Sequence, residues 1–337
     1  MIELTKEQII DWVSKHFPEY KIRSSGKQIC VNNPYGGDSE QHLWISTESA
    51  QLKNRFEGKS GYWVHDFRPG HQQYDGSLVN FVRKYLKVSY RQAISELVGK
   101  GSIRYSRRNE QNKNEPEHII QLPTGSKPIS NKSSDKVRLM MLDYLAGRCV
   151  TEEIAIEHDL YYSPDGIVFP YIEYGEIVYW QERSILNKRF NFPNEENTGR
   201  AKTDYLYNFD NVEASSHLII VESIFNCISV GMNCVASGGA TISGKQPEKV
   251  RALDPKIVVL APDNDEPDSY GKRAGVESLK KNYFLLKDRF DLAFTLPPAG
   301  IKDWNEMDQK LGIGSAKRYI SDNVYKLTIP NLMKILR

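Results

Sequence analysis

The 337-residue chain has only four cysteines, Cys30, Cys149, Cys227 and Cys234, and no two stand at C-x-x-C spacing. Thiolates at that spacing are what clamp a tetrahedral zinc, so no zinc knuckle is expected; buried free thiols in a reducing compartment account for them instead. Net charge is scarce as well, since 45 basic and 43 acidic residues leave +2. The molecule is no polycation, and any grip on nucleic acid must come from local clusters. No run approaches eighteen apolar residues, and the opening MIELTKEQ lacks the basic-then-apolar order of a secretion signal. A cytoplasmic protein with no membrane partner is expected. G-x-x-x-x-G-K-[ST] does not occur, which excludes a phosphate-loop motor within these residues.

What is present centres on His217 to Glu306. HLIIVE and KIVVLAPDND are short β-branched runs without polar alternation, as in strands buried on both faces of a parallel sheet. Between them SIFNCISVGM reads as a helix stopped at Gly231, followed by NCVAS, a Gly238-Gly239 turn and a helix with Pro247 near its start. Such βαβ sheets bind ligands outside the carboxyl ends of their strands, and Glu222, Asp263 and Asp265 fall at those ends. Crowded carboxylates repel unless a cation sits among them, so the pattern points to a magnesium-type site; solvated loop acids are the plainer reading of any one of them.

Together these acids resemble the Toprim domain, shared by bacterial-type primases, topoisomerases and some nucleases, in which a glutamate ends the first strand and a D-x-D ends the third. The resemblance implies Mg²⁺ or Mn²⁺ on Glu222, Asp263 and Asp265, with KDWNE offering Asp303 for the acid after the next strand. The chain departs from the family at its E-G-x-x-D, reading Glu222-Ser223-Ile224-Phe225-Asn226.

The rest of the chain is similar, in order, to primases of the bacterial and phage type. Thr5 to Gln8 forms a capping-box pattern ahead of a helical stripe, a small β-rich region follows, and GSLVNFVRKYLKVSYRQAISEL matches the closing helices of the family's zinc-binding domain. At the family's ligand positions stand Asn33, Gly36, Val64 and Phe67, so no zinc is expected and a core of Trp44, Trp63, Phe67, Leu78 and Phe81 must replace it. His42, His65, Asp66 and His71 read as surface polar residues, while Tyr62, His65 and Arg68 are candidates to touch single-stranded template. Gly101 to Lys136, including Arg104 to Arg108, reads as a linker. YLAGR, IVFPYIE, KRFNFPN and KTDYLYNFD then resemble the basic subdomain before Toprim, with a hairpin turning near Gly175.

Arg183, Lys188, Arg189, Arg200 and Lys202 are interleaved with Phe190 and Phe192, cations for phosphate beside rings for unpaired bases. Arg148 and Asn191 join them by resemblance. Lys272 and Arg273 are expected in the first turn of a helix from about Ser269, where a nucleotide phosphate would offset their opposition to the helix dipole. The expected organisation is an α+β, zinc-ribbon-like domain without zinc (1–100), a linker (101–136), a basic subdomain (137–215), a Toprim domain (216–310) and a helical tail (311–337). The last three complete an α/β, Toprim-containing RNA polymerase domain. The resemblance, nearest to the small primases of T-even-like phages, implies RNA primer synthesis from ribonucleoside triphosphates on single-stranded DNA beside a separate hexameric replicative helicase. A Toprim nuclease and a catalytically decayed nucleic-acid-binding accessory protein remain as alternatives.

Overall fold

The computed structural model describes residues 4–35, 37–51, 60–68, 76–86, 88, 90–99, 120–131, 133–173, 175–212, 217–231, 233–267, 269–270 and 273–335. Contacts divide the chain into two units, Met1–Glu117 and His118–Arg337. Gly36, His71, Lys272 and Arg104 to Arg108 lie outside the described residues.

The first unit opens with α1 (Lys6–His16), whose capping box is formed: the Thr5 hydroxyl accepts from the Gln8 amide at 3.2 Å, and Gln8 Oε1 accepts from the Thr5 amide at 2.7 Å. There follow β1 (Lys21–Arg23), β2 (Gln28–Val31), β3 (Leu43–Ser46), the short pair β4 (Ala50–Gln51) and β5 (Ser60–Gly61), β6 (Trp63–Asp66), β7 (Gly76–Ser77), α2 (Leu78–Leu86) and α3 (Tyr90–Val98). An antiparallel sheet in the order β1-β2-β3-β6-β7 turns Ile29, Val31, Leu43, Ile45 and Val64 onto Ile9, Trp12, Leu78, Phe81 and Leu97. Period-two alternation then sends Trp44 and His65 to the opposite face. The expected core is corrected there: Phe67 is 54% exposed and lies against Trp44 at 4.7 Å between ring centres, whereas Trp63, Leu78 and Phe81 are buried. Asp66, not Phe67, points inward. Tyr62 and Arg68 also have structural partners, the former bonding both ways with the Leu4 backbone and the latter forking onto Asp66.

The second unit begins with β8 (Lys127–Pro128), α4 (Lys136–Ala146), α5 (Glu152–Glu157), β9 (Tyr161–Tyr162), β10 (Gly166–Glu173), β11 (Glu176–Ser184), β12 (Phe190–Asn191) and α6 (Glu195–Thr198). Its antiparallel sheet runs β12-β11-β10-β9-β8, with the β10–β11 hairpin turning at Gly175, φ +80°. At the far end of that hairpin a Cβ on Gly166 would lie 2.1 Å from the Arg183 carbonyl oxygen, so only glycine allows β10 to hold Arg183 this closely.

The chain continues through β13 (His217–Val221), α7 (Ile224–Val230), β14 (Cys234–Ala236), α8 (Gln246–Leu253), β15 (Ile257–Leu260), α9 (Ala274–Leu286), β16 (Asp291–Phe294), α10 (Trp304–Leu311), α11 (Ser315–Asp322), β17 (Tyr325–Lys326) and α12 (Ile329–Ile335). The second sheet is ordered β14-β13-β15-β16-β17; its first three pairings are parallel, and β17 closes one edge antiparallel. Both β-branched runs therefore form strands as their pattern requires. One expectation fails: α9 starts at Ala274, not near Ser269, with Arg273 as its N-cap residue. The tail packs Leu332 of α12 into the core beside Leu292 and Leu327. Phe169, Tyr171 and Tyr207 share a core with Val221, Ile224, Phe225 and Trp304, which ties the basic hairpin to the rim of the parallel sheet. Among the described residues, no helix is long and apolar enough to cross a membrane.

Candidate functional site

Parallel pairing places Ile220 beside Leu260, so Glu222 and Asp263 emerge at the same carboxyl end of neighbouring strands. The Asp263 backbone amide hydrogen-bonds the Glu222 carboxylate. Burial, then repulsion from Glu222, Asp303 and Asp265, pushes the Asp263 carboxyl up to about 8. Burial, and after it the charge of Asp265, raises Glu222 as well, and Glu222 Oε1 is buried with no hydrogen-bond partner. The four predicted acids thus form one electrostatic cluster.

Two of them already have other engagements. Lys302 Nζ lies 3.3 Å from Asp265 Oδ1, and this bond raises the lysine. Asp303 is the N-cap of α10, its Oδ1 accepting from the Glu306 amide at 2.8 Å, while the Glu306 carboxylate accepts from the Lys302 amide. Among the described residues, accordingly, no group of three or more His, Cys, Asp or Glu side chains is arranged to hold a metal ion. The donor set is nevertheless of the kind that hard cations take, being carboxylate oxygens, two of them on carboxyls raised by burial and like charge and one orphaned.

Residues that sequence reasoning passed over hold the D-x-D loop in place. Asn264, between the two aspartates, donates its amide to the Lys302 carbonyl at 2.6 Å and its Nδ2 to the Pro297 carbonyl at 2.9 Å, and accepts from Arg273. The Arg273 cation thus serves the acid loop rather than the first turn of α9. A Cβ on Gly275 would lie 1.8 Å from the Asp263 carbonyl oxygen, so α9 approaches the loop more closely than any side chain permits. Asn305 donates Nδ2 to the Arg148 carbonyl at 2.8 Å and to Ser229 Oγ at 3.1 Å. Gly275 carries a weak signal, glycine near a helix start after the acids, but the long-range pairing of Asn305 with the Arg148 backbone leaves none.

A cavity of about 260 Å³ joins acids and bases, lined by Glu222, Asp263, Ser223 and Phe225 on one side and by Arg183, Lys202, Phe190, Phe192 and Gln181 on the other. Arg183 Nε donates to the Tyr144 hydroxyl at 2.8 Å, and its guanidinium lies 5.1 Å from the Phe190 ring centre and 5.6 Å from that of Phe225. Arg148 lies over the same Phe225 ring at 5.4 Å. Lys202 Nζ donates to the Gly238 carbonyl at 2.5 Å and sits 5.5 Å from the Phe192 ring centre; burial lowers its pKa.

The other predicted basic positions are placed differently. Lys188 and Arg189 are exposed on the loop before β12 and do not line the cavity. Arg200 donates to the Val178 carbonyl at 2.8 Å. Asn191 donates to the buried Glu182 at 2.6 Å, bracing β12.

No family model and no curated protein matches the sequence. Among solved structures, the Aquifex aeolicus primase, in a structure of its zinc-binding and RNA polymerase domains, is similar at 16% identity and a TM-score of 0.44, covering 94% of this chain and 83% of that one. The primase fragment of the bacteriophage T7 primase-helicase protein is similar at 18% identity and a TM-score of 0.41, covering 53% of this chain and 72% of that one.

Proposed function

We propose that this chain is a primase-type nucleotidyltransferase whose second unit pairs a Toprim sheet with a basic, aromatic subdomain. The observation that carries the reading is a shared cavity lined by Glu222 and Asp263 together with Arg183, Lys202, Phe190 and Phe192. Phosphoryl transfer needs negative groups to gather cations at the reacting phosphate and positive groups to hold the remaining phosphates, while stacking rings suit unpaired bases.

In the proposed reaction the 3′-hydroxyl oxygen of one ribonucleotide attacks the α-phosphorus of the next. Its bond to the pyrophosphate oxygen breaks, and the hydroxyl proton is lost. Glu222 and Asp263 would hold Mg²⁺ or Mn²⁺, joined by Asp265 when Lys302 releases it, with Asp303 in support through its cap. When bound, such an ion supplies a lowered pKa for the attacking hydroxyl and neutralises charge on the phosphate and leaving group. Arg183 and Lys202 bind phosphate, held in position by Tyr144 and Gly238, and Phe190 and Phe192 orient bases. Unwinding of the template would fall to a separate hexameric replicative helicase.

Incubating the full chain with labelled ribonucleoside triphosphates, single-stranded DNA and Mg²⁺ tests this. Short RNA, absent with Glu222→Gln and Asp263→Asn, is expected; shortened DNA would replace the reading with a nuclease, and no product would remove both.

A further inference from the structure

Asn226 is 1% exposed and stands on α7, where its backbone amide is capped by Ser223 Oγ at 3.2 Å. Its side chain reaches in two directions. Oδ1 accepts the Asn305 backbone amide of α10 at 3.1 Å, and Nδ2 donates to Asp263 Oδ1 at 2.7 Å. The orientation of this amide follows from its neighbours, because a backbone N–H can only donate and must meet the oxygen, leaving the NH₂ group for the carboxylate. Asn305 is itself fixed to Arg148 and Ser229, so the bond to Asp263 rests on a rigid frame.

The same geometry says what an acid would do in this place. An aspartate at 226 could still accept from Asn305, but its other oxygen would face Asp263 Oδ1 across hydrogen-bond distance, where the amide donor is lost and, once both carboxyls are ionised, no proton lies between them. Four carboxylates already repel one another here.

We infer that Asn226 is a positioning residue: its amide holds one oxygen of Asp263, leaves the other to the Glu222 side, and keeps a fifth negative charge out of the cluster. The inference rests on the reading of Asp263 as a cation ligand only for its effect on metal affinity; the hydrogen bond and its charge logic stand in the metal-free protein.

The test uses the full chain carrying Asn226→Asp, Asp263→Asn or the exchange of both. Thermal unfolding in EDTA at pH 9, where Asp263 is ionised, is expected to fall by several degrees for Asn226→Asp and to recover in the exchanged pair, where one amide again faces one carboxylate. Mn²⁺ binding followed by electron paramagnetic resonance is expected to tighten several-fold in Asn226→Asp and to weaken in the exchanged pair. A general packing role would not produce that reversal. If Asn226→Asp does not fold, the Asn226 side-chain amide resonances give a second readout, expected to shift and exchange faster in Asp263→Asn. Equal stability of Asn226→Asp and the parent in EDTA, no recovery in the exchanged pair, or unmoved amide resonances would overturn the inference. A parent that binds no Mn²⁺ while the exchange still rescues stability would sustain the positioning role and defeat the cation reading alone.

Discussion

Both units bury aspartates, and they do so with opposite surroundings. In the first, the Asp66 side chain is fully buried and accepts from Asn33 at 2.7 Å and from the Arg68 guanidinium and backbone, which together hold its carboxyl down at about 2. Asp38, 1% exposed, accepts from the backbone amides of Asn33, Glu40 and His42 and from the His42 ring, and lies well below the usual carboxylate range. In the second unit burial raises both Asp263 and Glu222, and it is compounded at Asp263 by Glu222, Asp303 and Asp265 and at Glu222 by Asp265. Satisfied acids hold loops together, whereas crowded ones spend folding energy on a task outside the fold. Asp66 is fully buried among donors, whereas the half-buried Asp263 has one side-chain donor, Asn226, against three repelling acids.

The largest expected effect of breaking this contrast is at Asp263. Its folded pKa lies above its unfolded value, so its stabilising share is complete below about pH 4 and is lost as pH rises through about 8. Asp263→Asn should therefore abolish the proposed primer synthesis while stabilising the metal-free protein at pH 8 by roughly 2–4 kcal/mol, because the amide removes most of the cost of ionising a carboxyl among other half-buried acids. Denaturant unfolding in EDTA at pH 5 and pH 8 checks this, and a variant less stable than the parent at pH 8 contradicts it.

Asp66→Ala should do the reverse, costing the first unit about 2–4 kcal/mol by removing the buried carboxylate on which Asn33 and Arg68 converge. Here the sign is that of depressed carboxyls: the stability from Asp38 and Asp66 is present above about pH 4 and lost as pH falls through their folded values. Acid titration of unfolding should show that loss in the parent and a smaller one in Asp66→Ala.

Arg183→Ala sharpens the comparison inside the cavity. It removes a cation stacked on two rings and should lower kcat/KM for nucleotide about tenfold, mainly through KM, a loss of about 1.4 kcal/mol of binding. Lys302→Ala should have the smallest effect. Its bond to Asp265 joins solvent-accessible partners worth at most about 0.5 kcal/mol, so stability should barely change while Asp265 becomes free to tighten Mn²⁺ binding by a few-fold.

Much of the parallel sheet was legible because LIIV and IVVL have no polar alternation to reconcile with a half-exposed strand, and acids within three residues after such runs fall at the strands' carboxyl rim. Thr5 and Gln8, or Gly175 in its turn, are local signals of the same kind. The start of α9 was not legible, since it is set by the close approach of Gly275 to Asp263 and by the use of Arg273 on Asn264. Phe67 misled for a related reason: in strand alternation the inward place went to Asp66, an apolar-pattern position filled by a charged residue with long-range partners. Asn226 could be read from the sequence as a departure from a family pattern, but not as a bridge, because Asn305 and Asp263 meet it only in the folded chain.

The central claim, that separate strands bring Glu222 and Asp263 together to share a divalent cation, is tested most directly by titrating Mn²⁺ into the metal-free full chain and its Asp263→Asn variant. Saturable binding in the parent that weakens at least tenfold in the variant is the predicted result, and equal binding by the two would contradict it.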